Sequence, residues 1–223
     1  MSRPALATFD LAALRANYAH ARAVHGGRAL AVLKANAYGH GAVECARALA
    51  GDADAFAVAF TEEALALREA GIQQPILVLE GAFGMDDMRL AQAHGLWLVV
   101  HQQEQLRMLE SLRAGARVNA WLKIDTGMHR AGLEPGEAQA CWQRLKACEQ
   151  VAGITLMTHF AESDGARGVE WQLERFRQMT EDWNLPVSMA NSAAILHHAQ
   201  TLRGWVRPGI MLYGASPFAD VSA

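Results

Sequence analysis

Short apolar runs recur along the chain at regular spacing, and most are unbroken rather than alternating in and out. They fall at Leu30–Lys34, Phe56–Phe60, Ile76–Glu80, Trp97–His101, Asn119–Asp125, Thr155–Phe160, Val187–Asn191 and Trp205–Arg207. A short unbroken run is the pattern of a strand covered on both faces, as in a parallel sheet sheathed by helices. Helical patterns lie between the runs. Leu11, Leu14, Tyr18, Ala21 and Val24 form one apolar stripe behind Asp10, a residue suited to cap a helix start. Thr61-Glu62-Glu63 opens another helix, with acids in the first turn and Gly71 just past its end. Further helices are expected at Ala42–Ala50, Met85–Ala93, Gln103–Ala114, Glu137–Glu149, Val169–Asp182 and Ala193–Gln200.

Eight strands alternating with helices predict the α/β class and a closed (β/α)8 barrel of the TIM type. The helix over 10–25 precedes the first barrel strand, so it is expected to supply the eighth outer helix. An open doubly wound sheet is the alternative with the same alternation. No linker, low-complexity tract or repeat divides the chain, so residues 1–223 read as a single domain.

Composition narrows the picture. Hydrophobic residues make up 52%, ample for a core, and a formal charge of −3 gives no electrostatic reason to expect nucleic acid or an anionic membrane. Cys141 and Cys148 fall on one expected helix, a rise of roughly 10 Å apart, too far for a disulfide. Reduced thiols point to the cytoplasm. The opening Met1-Ser-Arg-Pro4 does not read as a signal peptide, and no apolar stretch approaches the ~20 residues of a membrane span.

In a barrel of this type the site gathers at the C-terminal ends of the strands. Lys34, Asp125, His159, Asn191, Ser192 and Arg207 fall at those ends, and Arg130 follows in a loop. Lys34 and Arg207 belong to the first and last strands, which closure makes neighbours. Lys34 follows the apolar Ala31-Val-Leu. A buried amine loses its charge more easily and becomes a nucleophile for an aldehyde; the plainer reading is a lysine snorkelling out at a strand end. Ser192 after the seventh strand and Gly209-Ile210 after the eighth stand where barrels commonly bind phosphate. No metal-ligand set is read.

These segments carry a resemblance. Ala31-Val-Leu-Lys-Ala-Asn-Ala-Tyr-Gly-His-Gly41 resembles the cofactor-lysine signature of the alanine racemase family. Leu122-Lys-Ile-Asp-Thr-Gly-Met-His-Arg-Ala-Gly132, Thr158-His-Phe-Ala161, Ala190-Asn-Ser-Ala-Ala194 and Val206-Arg-Pro-Gly-Ile-Met-Leu-Tyr-Gly-Ala-Ser-Pro217 are similar to further family segments, in order along nearly the whole chain. The closing segment and Thr155–Glu162 look closest to the catabolic type.

The resemblance implies pyridoxal 5'-phosphate on Lys34 and interconversion of L- and D-alanine. Tyr38 would reach the phosphate held by the segments of Asn191, Ser192, Gly209 and Ile210. Arg207 would donate to the ring nitrogen and keep it unprotonated, weakening the electron sink and limiting side reactions. His159 would orient Arg207, and Arg130 would meet the substrate carboxylate. Lys123 matches a position carbamylated in some members. His129 stands where glycine or asparagine is usual. The family is homodimeric, and the acid–base group for the second face of Cα is a tyrosine from a C-terminal β domain of the partner subunit. None of Tyr18, Tyr38 and Tyr213 lies in a segment matching it, so the chain reads as a truncated barrel with weak turnover. A stand-alone cofactor-binding barrel with little turnover is the alternative, and a barrel without cofactor a third.

Overall fold

The computed structural model of the protein describes residues 6–220. The opening Met1–Pro4 stretch and the closing Val221–Ala223 lie outside them. The strands are β1 (Arg28–Val32), β2 (Ala55–Val58), β3 (Ile76–Val78), β4 (Trp97–Val100), β5 (Val118–Lys123), β6 (Val151–Met157), β7 (Val187–Ser188) and β8 (Trp205–Val206). All pair in parallel in chain order, and β8 pairs back onto β1 through Arg28–Trp205 and Ala29–Val206. The closed barrel is thus observed, and the open sheet is excluded.

The helices are α1 (Leu11–His25), α2 (Lys34–Tyr38), α3 (Ala42–Leu49), α4 (Thr61–Glu69), α5 (Met85–Ala93), α6 (Gln103–Glu110), α7 (Pro135–Ala147), α8 (Glu170–Thr180) and α9 (Ser192–His197). Asp10 caps α1 as its residue type suggests, its Oδ1 accepting the Ala12 and Ala13 amides at 2.9 and 3.0 Å. α1 packs against β1, α3 and α9, which makes it the outer helix that closes the ring beside β8. The three cysteines are free thiols, and no helix among the described residues is long and apolar enough to cross a membrane.

The strands end earlier than the apolar runs suggest. The ladder stops at Val32, Met157, Ser188 and Val206, short of the expected Lys34, Phe160, Asn191 and Arg207. The inward alternation continues beyond the last hydrogen bond, so sequence pattern and ladder part company. Leu30, Val32, Ala55, Ala57, Leu77, Val99, Trp121, Met157 and Trp205 form an inner cluster distinct from the apolar shell under the helices. Trp97, Trp121 and Trp205 pack together inside the barrel, with ring centroids 5.6–6.1 Å apart. Two residues further along their strands, Val32, Trp121, Met157 and Trp205 are followed by Lys34, Lys123, His159 and Arg207. Side chains two apart share a face, so the packed interior hands over to polar groups at the C-terminal mouth.

Candidate active site

At that mouth is a cavity of about 350 Å³ with Val32, Leu79 and Met157 among its lining. Lys34, Tyr38, Arg130, His159, Asn191, Ser192, Arg207, Gly209 and Ile210 all line it, joined by Lys123. Asp125, flagged at its strand end, does not; it turns back to hold the loop that carries Arg130. Glu80, Ser163, Asp164, Ser216 and Pro217 also face the cavity and were not singled out in the sequence. Glu80 ends an apolar run just as Lys34 does, so the same positional signal was available. The others sit in irregular loops that carry no periodic signal.

Arg207 is almost fully buried with no carboxylate beside it. Its terminal nitrogens donate to Ser188 Oγ at 2.6 Å, to the carbonyls of Thr158 at 2.8 Å and Met189 at 3.2 Å, and to His159 Nδ1 at 3.3 Å. Nε makes no hydrogen bond among the described residues. Burial pulls the guanidinium down to about 9, so it stays charged at neutral pH. An arginine only donates, so His159 Nδ1 accepts and the ring proton sits on Nε2. Burial, and then the charges of Arg207, Arg130, Lys123 and Lys34, hold His159 well below its ordinary 6.5, which keeps it the neutral acceptor this contact requires. Lys123 is pulled down to about 8, first by burial and then by Arg130, Arg207 and Lys34, while Glu80 opposes the drop. The mouth therefore holds several cations against few acids, a field suited to an anion.

A cradle lies between β7 and β8. Ser192 Oγ accepts the amides of Gly209 at 3.0 Å and Met211 at 3.4 Å, while Asn191 Oδ1 accepts from Ser163 Oγ at 2.9 Å and the Ala194 amide at 3.0 Å. The Ile210 amide has no partner among the described residues. A Cβ built on Gly209 would stand 2.8 Å from the Tyr38 hydroxyl. Glycine there lets the hydroxyl approach the backbone of the cradle. Ser188, Arg207 and this cradle all hang on the short β7 and β8 strands, so the ladder itself sets their spacing.

Lys34 is not the last strand residue but the first of a left-handed turn. Ala35, Asn36, Ala37 and Tyr38 have φ between 52° and 55°. The turn is closed by the Ala37 amide on Leu33 O at 2.8 Å and the Gly39 amide on Ala35 O at 3.0 Å. Such a conformation costs an L-residue roughly 1–2 kcal/mol, so the four together carry a cost on the order of 4–8 kcal/mol that the surroundings must offset.

The Arg130 loop is built on Asp125. Its Oδ1 accepts the amides of Gly127, Met128 and His129 at 2.8–3.1 Å, and Oδ2 meets His129 Nδ1 at 3.1 Å. Burial alone would raise this carboxyl; the amides of Gly127, His129 and Met128 and the His129 ring outweigh it and hold it below its ordinary 3.8. His129 has φ 56°, which explains why glycine or asparagine would be comfortable there. Gly132, at φ 138°, lies where a Cβ would meet the Asp125 amide nitrogen at 2.6 Å. Ligand-type atoms of Asp125, His129 and Glu134 lie within 4.8 Å of one another, with Asp125 already satisfied by these amides. Arg130 makes no ion pair among the described residues.

Fold and site together define an α/β barrel with a cavity at the C-terminal mouth, where several cations and the Ser192–Gly209 cradle face Lys34. The model of the family described as "Alanine racemase, N-terminal domain" matches residues 9–217, and the chain belongs to the alanine racemase family. It is 54% identical over 220 residues to the alanine racemase of Aromatoleum aromaticum, covering 98% of this chain and 62% of that protein. It is 50% identical to the catabolic alanine racemase of Pseudomonas aeruginosa, covering 97% of this chain and 61% of the relative. The crystal structure of the biosynthetic alanine racemase of Pseudomonas aeruginosa superposes with a TM-score of 0.95 at 43% identity, over 99% of this chain and 63% of that one. The chain thus spans about 62% of the length of the curated relative first compared.

Proposed function

We propose that this barrel holds pyridoxal phosphate on Lys34 and serves alanine racemisation. The observation that carries the reading is the meeting, in one cavity, of the strand-end lysine, the Ser192–Gly209 cradle and a buried guanidinium without a carboxylate. The donor set fits the group. Ser192, the Ile210 amide and the Tyr38 hydroxyl offer donors for a phosphate, and Arg207 offers an unengaged Nε for a ring nitrogen. A buried unpaired charge is costly, and an acceptor laid against Nε would relieve that cost. Pyridoxal phosphate supplies, when bound, an electron-withdrawing ring that acidifies the Cα–H of an amino acid held by its aldehyde carbon.

The chain's own residues do the rest. Arg130 takes the substrate carboxylate, and the Asp125 loop holds that arginine in place. Lys34 Nζ removes and returns the Cα proton on one face. Arg207 keeps the ring nitrogen a hydrogen-bond acceptor, which restrains the electron sink and favours simple proton exchange.

The second face needs another acid. Tyr18 donates to Ala29 O at 2.9 Å, far from the mouth, and Tyr213 donates to Val32 O at 2.7 Å. Tyr38 reaches the Gly209 cradle. The tyrosines of the chain are therefore otherwise engaged, and inversion by the 223-residue polypeptide assayed alone is slow. The test runs D- and L-alanine separately in deuterated water with pyridoxal phosphate present. Cα-deuterium uptake faster than inversion is expected. Inversion at roughly 1–10³ s⁻¹, the range of whole enzymes, would contradict the one-base account, and no uptake at all would overturn the function.

A further inference from the structure

Glu63 stands in the first turn of α4, outside the cavity lining. Its Oε1 accepts the Ala35 amide at 2.7 Å, and its Oε2 accepts the amides of Ala59 at 2.7 Å and Phe60 at 3.3 Å. One carboxylate thus ties the chain leaving β1 to the chain leaving β2, at the residue next to Lys34. We propose that Glu63 is a positioning residue for Lys34: it holds the left-handed turn and so fixes where the lysine amine enters the cavity. The proposal rests on the functional reading above, in which that amine meets an aldehyde.

The argument is one of hydrogen-bond accounting. Within the turn, the Ala37 and Gly39 amides find carbonyls of the turn itself, but the Ala35 amide finds only Glu63. The sequence Ala-Asn-Ala-Tyr has no glycine and prefers right-handed φ. Freed from its acceptor, the segment relaxes by roughly 110° in φ per residue toward that preference, and Lys34 is re-aimed. The far end of the turn is tied separately: Asn36 Oδ1 accepts the Ala42 amide at 2.8 Å. A carboxylate is the side chain that fits, because both of its oxygens accept and three N–H groups converge on it. Glutamine offers one acceptor, and its amide N–H₂ faces another donor. Aspartate lacks a methylene and cannot reach both strand ends. Tyr38 belongs to the same turn and its hydroxyl meets the cradle at Gly209, so phosphate affinity falls too when Glu63 is lost, and the aim of Lys34 is read with the cofactor saturating.

The test uses the full chain. Hydrogen exchange of the Ala35 amide is followed without ligand. The rate at which pyridoxal phosphate labels Lys34 is followed by borohydride trapping: Nζ joins the aldehyde carbon with loss of water, and hydride fixes the bond. Inorganic phosphate affinity is measured alongside. Ala35 is expected to be protected in the wild type. Glu63→Gln is expected to speed its exchange at least tenfold, to slow labelling at saturating pyridoxal phosphate about tenfold, and to weaken inorganic phosphate binding through Tyr38. Glu62→Gln, on the exposed side of the same turn, should change none of these. Should Glu63→Gln not fold, Glu63→Asp is read the same way, with smaller effects in the same directions. An unprotected Ala35 amide in the wild type, wild-type labelling in both Glu63 variants, or labelling that recovers fully once pyridoxal phosphate is saturating would each overturn the proposal. If the wild type takes no label at Lys34, the functional reading fails, and Ala35 exchange alone decides whether Glu63 holds the turn.

Discussion

Replacing Lys123 with methionine removes a buried charge while keeping the length and apolar stem of the side chain. Lys123 is 6% exposed, and its amine falls from an ordinary 10.5 to about 8. At 1.36 kcal/mol per pH unit, that drop makes the charged amine cost the empty barrel about 3 kcal/mol. The sign follows from linkage. Between pH 8 and 10.5 the unfolded chain binds the proton that the folded chain has released, so stability rises with pH through that window, and below pH 8 the full penalty is present. That drop is already net of the attraction to half-buried Glu80, so the gain expected for Lys123→Met at pH 7 is about 2–3 kcal/mol. For a chain of this size that is roughly 4–12 °C in Tm. Urea unfolding of both proteins at pH 7, 8 and 9, in buffers purged of carbon dioxide, gives the comparison. Arg207 contributes its own rise above pH 9, and the difference between the two proteins cancels it. Lys123→Met less stable than the wild type at pH 7, or a gap that does not shrink as pH rises from 8 to 9, would refute the reasoning.

Gly209→Ala places a methyl 2.8 Å from the Tyr38 hydroxyl; displacing it should weaken inorganic phosphate binding by about tenfold, and unchanged binding by calorimetry would remove Tyr38 from the cradle. Arg207→Glu presents an acceptor in place of a permanent donor. With nitrogen-15-labelled pyridoxal phosphate, the ring nitrogen should titrate as protonated in the variant and unprotonated in the wild type, and identical shifts would count against Arg207 as its partner. Asp125 is held ionised below its ordinary 3.8, so its stabilisation is full above about pH 4 and lost as pH falls through the lower folded value. Asp125→Asn should flatten that acid limb, seen by circular dichroism between pH 5 and 2, and an unaltered limb would contradict the role given to the amides of its loop.

Much of the barrel was legible because its strands are covered on both faces. Runs such as Ile76–Val78 and Trp97–Val100 can be little else when helical patterns flank them. Their C-terminal limits were overdrawn because hydrophobic alternation does not stop with the ladder: Met157 still points inward, and His159 follows it two residues on. The same continuation made the site legible, since Lys34, His159 and Arg207 stand one inward step beyond the packed interior. The left-handed turn left no trace. Ala35 and Ala37 prefer the opposite hand while Asn36 tolerates either, and contacts from α4 and α3 join the turn's own hydrogen bonds in holding it. Glu63 read merely as a first-turn acid for the same reason: beyond its local partners Ala59 and Phe60, it reaches Ala35 28 residues away, a distance no local pattern encodes. Asp125 showed the converse limit. Its strand-end position was right, but the three amides that claim its oxygen come from a loop whose path the sequence does not reveal.

The central claim is that Lys34 is the residue that takes the cofactor's aldehyde. Purified chain is mixed with pyridoxal phosphate, reduced with borohydride, digested and mapped by mass spectrometry. Lys123, with its amine at about 8, is the built-in competitor, because a depressed amine is also a nucleophile. The account predicts a single stoichiometric pyridoxyl label on Lys34, blocked by inorganic phosphate and absent in Lys34→Ala. A label on Lys123 or Lys146 with none on Lys34 would contradict it.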